Sequence, residues 1–433
     1  MSASTQSLVS IFAENVQSKA QKVALRHKQL GIWQEWTWLD LAHVVQKYVA
    51  VLNEFKINFE SEKNLSLLIS SSPNVHFFAF SIASQILGIS VQLIESQQQQ
   101  HDSNLFLSLQ IIQPDLIFIE DLKQLDDRTT LGLNPTLNLN SIIFYLQDNR
   151  LNPKQLNHTY SILDRINQFD DLQFNDLQFN GLEFNHPNNK ALKHPAEPNE
   201  FDEKQIAFIF HKIKSGQHFY AFYHAQSLIE EAENLIETHH LNHDEQAFIT
   251  RGFASHDHIR YLFTSWLIAG FCLNIPENFE TRDQDRQMIS PTLIIGTSST
   301  YARAENIVQQ KLPNLNSGLF KIFPNLKNWH SSFSNPQSNT SGLFETLFNA
   351  FFKQSILASL GFSNLRTAIV VGESSSERTR QFYQRLGIKL SSWQSQTYWK
   401  NKQFDPKSDP SSDLKTFNYH SSSGEPHVHP HHP

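Results

Sequence analysis

The feature that most constrains the fold is an alternation of short apolar runs with longer amphipathic ones. Three runs, "NLSLLIS" (64–70), "ISVQLI" (89–94) and "PDLIFIE" (114–120), are short and largely apolar and read as short buried strands. Helical patterns alternate with them. In "WTWLDLAHVVQKYVAVLNEF" (36–55), Leu39, Leu41, Val44, Val45, Tyr48 and Val51 fall near a 3.6-residue period. Strands alternating with helices predict an α/β fold of layered subdomains with mainly parallel strands.

The pattern divides the chain into parts. Residues 1–150 form a first α/β part, 151–204 a polar insertion, 205–400 a second α/β part and 401–433 a tail. The insertion contains "DLQFN" (171–175), "DLQFN" (176–180) and "GLEFN" (181–185), a five-residue repeat that matches neither helix nor strand period. A surface segment, partly disordered, is expected there. The tail ends "HVHPHHP" and is expected to be disordered, without the fixed geometry a specific metal site needs; no metal is expected.

Bulk numbers exclude some classes. A net charge of -7 over 433 residues gives no basic footprint for nucleic acid or a membrane surface. The longest apolar run, Phe77 to Ile94, is interrupted by Ser, Gln and Gly and reads as a buried helix entering a strand, not a membrane span. The single cysteine, Cys272, and an N-terminal stretch without leader features point to the cytoplasm. Cys272 lies in an apolar phrase and reads as core. Glycine is scarce, 14 residues where average use near 7% gives about 30. That is poor provision for glycine-rich phosphate loops. The 34 phenylalanines read as a bulky core plus the repeat, with an apolar ligand channel as the less favoured account.

Several phrases stand in a meaningful order: "FAENVQSKAQKVALRHKQLGIWQEWTWLDL" (12–41), "LISSSPNVHFFAFSIASQILGISVQLI" (68–94), "LIEEAENLIE" (228–237), "WLIAGFCLNIPENFET" (266–281), "ISPTLIIG" (289–296), "LGFSNLRTAIVVGE" (360–373) and "FYQRLGIKL" (382–390). Together they resemble the large N-terminal domain of adenylate-forming, AMP-binding enzymes, and most closely the long-chain acyl-CoA synthetase branch. The resemblance implies that fold, and in active relatives an ATP- and Mg²⁺-dependent attack of a fatty carboxylate on the α-phosphate. Such chemistry needs preorganised donors and a cation around the phosphate.

The motifs that perform it in the family are altered. Where a Y-T-S-G-T-T-G-x-P-K-G loop is implied, this chain has "HKIKSGQHFYAFYH" (211–224), keeping only Ser215 and Gly216 of the small polar set, beside Lys212 and Lys214. A solvated turn between two strands is the favoured reading, with residual anion binding by the lysines as the other. Where Y-G-x-T-E is implied, "SSWQSQTYWK" (391–400) puts Thr397 at the threonine position, Tyr398 at the Mg²⁺-binding glutamate and Trp393 at a glycine. A phenol is a poor ligand for so hard an ion. In "RGFASHDHIRYL" (251–262), similar to L-P-L-A-H-x-x-E-R, His256 and Arg260 hold the histidine and arginine positions. His256 therefore lines an acyl region or is a satisfied structural histidine. "GESSSE" (372–377) lacks the G-x-S-x-G elbow of a serine nucleophile.

Relatives continue into a small C-terminal domain that supplies a catalytic lysine; few residues follow Tyr398 here, so that domain is expected to be absent. The expected function is a catalytically inactive acyl-CoA synthetase-like module that binds a fatty acyl ligand or a protein partner such as an active relative, with no cofactor. The alternative is a divergent ATP-dependent ligase using ATP and Mg²⁺.

Overall fold

A computed structural model describes residues 6–57, 65–94, 105–125, 141–150, 158–169, 206–214, 217–250, 256–311, 353–393, 397 and 399–402. The repeat at 171–185, the Asn/Ser-rich link at 329–342 and the His-rich tail lie outside them. The strands, in chain order, are β1 (Val23–Gln29), β2 (Ile32–Thr37), β3 (Ser66–Ser70), β4 (Ser90–Ile94), β5 (Leu116–Asp121), β6 (Ile142–Gln147), β7 (Thr159–Ser161), β8 (Ile206–Lys214), β9 (Gln217–His224), β10 (Gln246–Phe248), β11 (Cys272–Ile275), β12 (Leu293–Thr297), β13 (Thr367–Val371), β14 (Leu390–Trp393) and β15 (Lys400–Lys402). The helices are α1 (Leu8–Ser18), α2 (Trp38–Lys56), α3 (Val75–Ile86), α4 (Leu105–Ile112), α5 (Ile162–Asn167), α6 (Ala225–His239), α7 (Thr264–Ala269), α8 (Arg282–Ile289), α9 (Ser298–Lys311), α10 (353–360) and α11 (Glu377–Arg385).

Two sheets result, in the orders β15-β9-β8-β4-β3-β5-β6-β7 and β14-β13-β12-β10-β11-β1-β2. Pairing is parallel except at β1–β2, β8–β9 and β9–β15. The expected layered α/β fold is present. The sheets do not coincide with the two α/β parts of the sequence, however: β1 and β2 complete the sheet of β10–β14, while β8 and β9 extend the sheet of β3–β7. Long-range parallel pairing, Leu25 with Leu273 and Val91 with Phe208, decides this. Residues 158–169, inside the Asn-rich stretch, carry β7 and α5. Thr159–Ser161 pair with β6, and Ile162 is fully buried.

Local chemistry accounts for the elements. α2 starts at a capping box in which Thr37 accepts from the Asp40 amide and Asp40 answers the Thr37 amide. Its apolar stripe, Leu41, Val45, Tyr48 and Leu52, is buried. α3 is buried almost all round, which explains why its sequence is apolar without a clear polar face. Asn74 caps it. The phenylalanine excess goes into this core: Phe78 packs on Phe263 and Trp266, and Phe80 on Phe118 with ring centroids 4.4 Å apart. Burying one such side chain stabilises by about 1.5–3 kcal/mol relative to exposure. At the centre Trp38 stacks on Trp266, 5.0 Å apart and 18° from parallel, and the Trp266 indole donates to the Ala24 carbonyl.

Candidate functional site

The hairpin β8–β9 stands where the family's phosphate loop is implied. Lys214 pairs with Gln217; Ser215 and Gly216 lie between them, outside the described residues, as does the Lys214 side chain. A continuous run of aromatic residues and Ala221 fills Phe219 to Tyr223, and the chain returns as a second strand before α6 begins. Two antiparallel strands, β8 and β9, flank residues 215–216. Near the hairpin end His211 Nδ1 lies 2.9 Å from His218 Nε2, with the buried rings stacked 5.1 Å apart.

His256 opens a helix that widens at once into a π-helical turn, His258–Phe263, before α7. The Ile259 carbonyl accepts both the Thr264 N–H, across the wide turn, and the Thr264 hydroxyl at 2.8 Å. All six residues of the turn are buried, including Arg260 at 1% exposure. A wide turn is a frequent feature of functional sites, because it re-aims side chains that an α-helix would carry elsewhere.

Arg260, His256 and Thr397 meet. Arg260 Nη1 donates to Thr397 Oγ1 at 3.1 Å, the Tyr223 phenol donates to the same oxygen at 3.3 Å, and His256 Nε2 lies 3.0 Å from it. The Thr397 hydroxyl therefore accepts from Arg260 and Tyr223 and has His256 Nε2 as a third partner. Asp257 Oδ1 approaches the same Nε2 at 3.3 Å. The other prongs of Arg260 go to Glu231 on α6, at 2.7 and 2.6 Å. Burial opposes the guanidinium charge, but the hydrogen bonds Arg260 donates to Glu231, together with the charge interactions with Tyr261, Tyr223 and Glu231, outweigh it and raise the arginine above its ordinary value. Burial also raises the Tyr223 phenol, against the pull of Arg260, whose guanidinium sits 4.9 Å over the Tyr223 ring.

Aromatic side chains wall this cluster. His256 meets Trp399 edge-on at 5.6 Å and Phe210 at 5.9 Å, and Lys212 Nζ is 5.3 Å from the Trp399 ring. Lys212 thus reaches the cluster through Trp399. Trp393 stands to one side, 6.3 Å from the Tyr261 ring and 5.8 Å from His239. Tyr398 lies outside the described residues.

Glu231, Tyr223 and Trp399 escaped the sequence reading. Glu231 lies in the resembling phrase 228–237 with no role assigned to it, and Tyr223 and Trp399 lie within the stretches 211–224 and 391–400 at positions for which the resemblance implies no role. The remaining candidates are structural. Ser376 of "GESSSE" caps α11, accepting from the Thr379 amide. Gly372, at φ +77, sits against the site: a Cβ there meets Asp257 Oδ2 at 3.1 Å. Cys272 is buried, and burial pushes its thiol up to about 12.

No protein-family profile matches the sequence, and no curated protein matches it. Solved structures do. An anthranilate CoA ligase, AuaEII, in complex with anthranoyl-AMP superposes with a TM-score of 0.59 at 11% identity, covering 90% of this chain and 59% of that one. The fold is that of the large domain of adenylate-forming enzymes. A Brucella canis acyl-CoA synthetase gives 0.58 at 10% identity over 92% and 59% of the two chains. The A domain of a Segniliparus rugosus carboxylic acid reductase, with AMP and a co-purified carboxylic acid, gives 0.58 at 11% over 91% and 61%. This chain therefore spans about three fifths of the length of these adenylate-forming structures. Among the described residues no helix is long and apolar enough to cross a membrane.

Proposed function

We propose that this chain is a non-catalytic acyl-CoA synthetase-like module that binds a carboxylate-bearing or acyl ligand, a fatty acid or acyl thioester, on the adenylate-forming fold. The observation that carries the reading is the Thr397 hydroxyl. In the family resemblance it faces a nucleotide phosphate; here Arg260, Tyr223 and His256 already surround it. Arg260 is in turn neutralised by Glu231. The described groups fit Mg·ATP poorly, since Arg260 and Tyr223 donate to protein acceptors and the two nearby carboxylates, Glu231 and Asp257, face Arg260 and His256. A carboxylate needs less: it asks for one or two donors and an apolar surround, which Trp399, Phe210 and Tyr223 provide. The neighbour structures bound to anthranoyl-AMP and to a carboxylic acid support the choice of ligand class. A protein partner such as an active relative is the further role this reading allows.

The second reading is a divergent ligase that uses ATP and Mg²⁺. The convergence of His256, Arg260 and Thr397 on one point favours it, because a catalytic cluster also needs convergent donors. Purified protein tested for ATP–pyrophosphate exchange with fatty acids of several lengths decides between the two. Exchange above a heat-killed control establishes the ligase. Thermal stabilisation by fatty acid or acyl-CoA, without exchange, supports the binding module.

A further inference from the structure

The hairpin of β1 and β2 turns on Leu30 at φ +48 and Gly31 at φ +79, the two left-handed conformations that a type I′ turn requires. Asn or Asp usually fills the first of these positions, because a short polar side chain tolerates the conformation. Here it is leucine, and 94% of it is exposed. A bulky apolar residue is thus held in a costly conformation and left in water, the kind of local strain that persists at binding surfaces. Ile32 is 67% exposed, and Met288 on the neighbouring α8, whose sulfur lies 3.3 Å from Lys28 Nζ, is 62% exposed. With Ile57 and Leu163 elsewhere, these are three of the five large apolar side chains exposed among the described residues, so the hairpin corner concentrates them.

β2 also ends its sheet, and no described strand pairs with its outer side. The two-residue turn makes Gln29 and Ile32 a hydrogen-bonded pair; such pairs alternate, so His27 with Gln34 is the next, and the backbone N–H and C=O of Trp33 and Glu35 turn outward. Folded proteins blunt an open edge with lysine or proline. β2 has neither, and its one charged residue, Glu35, lies on Arg26. Lys28 is likewise paired with Asp285. The charged side chains of the hairpin are answered within the chain, which leaves an open edge suited to a neutral, apolar strand.

We infer that this edge pairs with β2 of a second copy, antiparallel, across a two-fold axis at Gln34. The inference stands apart from the ligand reading above. Opposed side chains must share a face, so the axis falls on a residue and not between two. At Gln34, Trp33 exchanges both backbone bonds with Glu35 of the second copy, and Glu35 with its Trp33. Ile32 then faces Trp36, an aliphatic–aromatic cross-strand pair, and Leu30 runs past Thr37 to the first turn of α2 of the second copy, beside the half-buried Leu39. The neighbouring registers fail. An axis at Glu35 opposes two carboxylates and needs the Thr37 N–H, which is committed to Asp40. An axis at Trp33 sets Glu35 against Gly31, whose N–H is taken by Glu277. A contact of this length is small beside the roughly 1,600 Å² of a standard interface, so a weak, micromolar dimer is expected.

Sedimentation velocity of the full chain from about 1 to about 200 µM is expected to show monomer and dimer in equilibrium. A monomer throughout overturns the inference. Gln34 is exposed, so charging it spares the fold. Gln34→Lys and Gln34→Glu each set like charges across the axis and are expected to weaken the dimer about three- to ten-fold at low salt, while an equimolar mixture of the two recovers wild-type affinity. Loss in all three samples, or in none, overturns the axis at Gln34.

Leu30→Asn separates the anchor from the turn. Asparagine suits a type I′ turn, so the thermal midpoint is expected to rise while the dimer weakens at least about three-fold. Unchanged affinity overturns the anchor. Hydrogen exchange reports which groups pair: the Trp33 and Glu35 amides are expected to slow as protein concentration rises. A dimer in which both exchange fast overturns the edge contact, and slow exchange in the monomer shows the edge covered by the chain itself, which overturns the second copy as its occupant.

Discussion

Arg260 and Glu231 form a two-pronged ion pair, Nε to Oε2 at 2.7 Å and Nη2 to Oε1 at 2.6 Å, joining the π-helical turn to α6. The arginine side chain is 1% exposed and the glutamate side chain 32%. The pair fixes which way Arg260 points.

Glu231→Ala is expected to destabilise the protein by about 3 kcal/mol. It strips the buried arginine of its charge partner, and breaking such a pair from one side costs more than the pair itself contributes. The check is a urea midpoint that falls while the slope is unchanged. An unmoved midpoint means that water replaces the carboxylate at Arg260.

Acid is expected to destabilise the fold through His27 and His76. Burial lowers both from 6.5 to about 4; Glu277 pulls His27 back up, and His27 pushes His76 further down. The unfolded chain therefore takes up protons first as pH falls. Stability is complete above about 6.5 and is lost progressively towards about 4, each histidine accounting for about 3 kcal/mol, less where the two are coupled. Urea midpoints at pH 7 and pH 4.5 measure this, and His76→Gln should flatten the profile. The Tyr48 hydroxyl, 2.5 Å from His76 Nδ1, gives the glutamine a partner.

Gly361→Ala is expected to cost about 2 kcal/mol or more. Gly361 ends α10 at φ +66, with Phe362 N–H bonded to the Leu357 carbonyl and Gly361 N–H to that of Ala358. An alanine there combines a left-handed backbone with a Cβ 2.6 Å from the Arg286 carbonyl oxygen, so backbone must move. Thermal midpoints of the two proteins give the answer, and equal values contradict the packing described.

Cys272 is expected to resist thiol reagents. It is buried, and its thiol sits near 12, so thiolate is scarce at pH 8. Ellman's reagent should react in urea and stay at least about a hundred-fold slower in buffer; fast reaction in buffer refutes the placement.

The sequence and the structure agree best where a signal is local. The runs that became β3, β4 and β5 have buried centres, Leu67–Ile69, Val91–Leu93 and Leu116–Ile119, as strands covered on both faces do. Thr37 and Asp40 announce α2 three residues apart. His256, Arg260 and Thr397 were named from motif positions and do come together. What was hidden depends on distance. Nothing at Glu231 distinguishes it from Glu230 until Arg260 is placed beside it. The π-helical turn leaves no periodic trace in six buried residues. The allocation of β1 and β2 to the sheet of β10–β14 is a matter of tertiary pairing alone.

That pairing imposes a wait during synthesis. Arg26 on β1 and Asn274 on β11, side by side in the finished sheet, are separated by 248 residues of chain. At 5–20 residues per second the hairpin of β1 and β2 stands for roughly 12–50 s before its parallel neighbour leaves the ribosome. Throughout that interval the buried stripe of α2, with Trp38 at its head, lacks the Trp266 face it finally covers. The nascent chain is therefore sticky for longest at its oldest end.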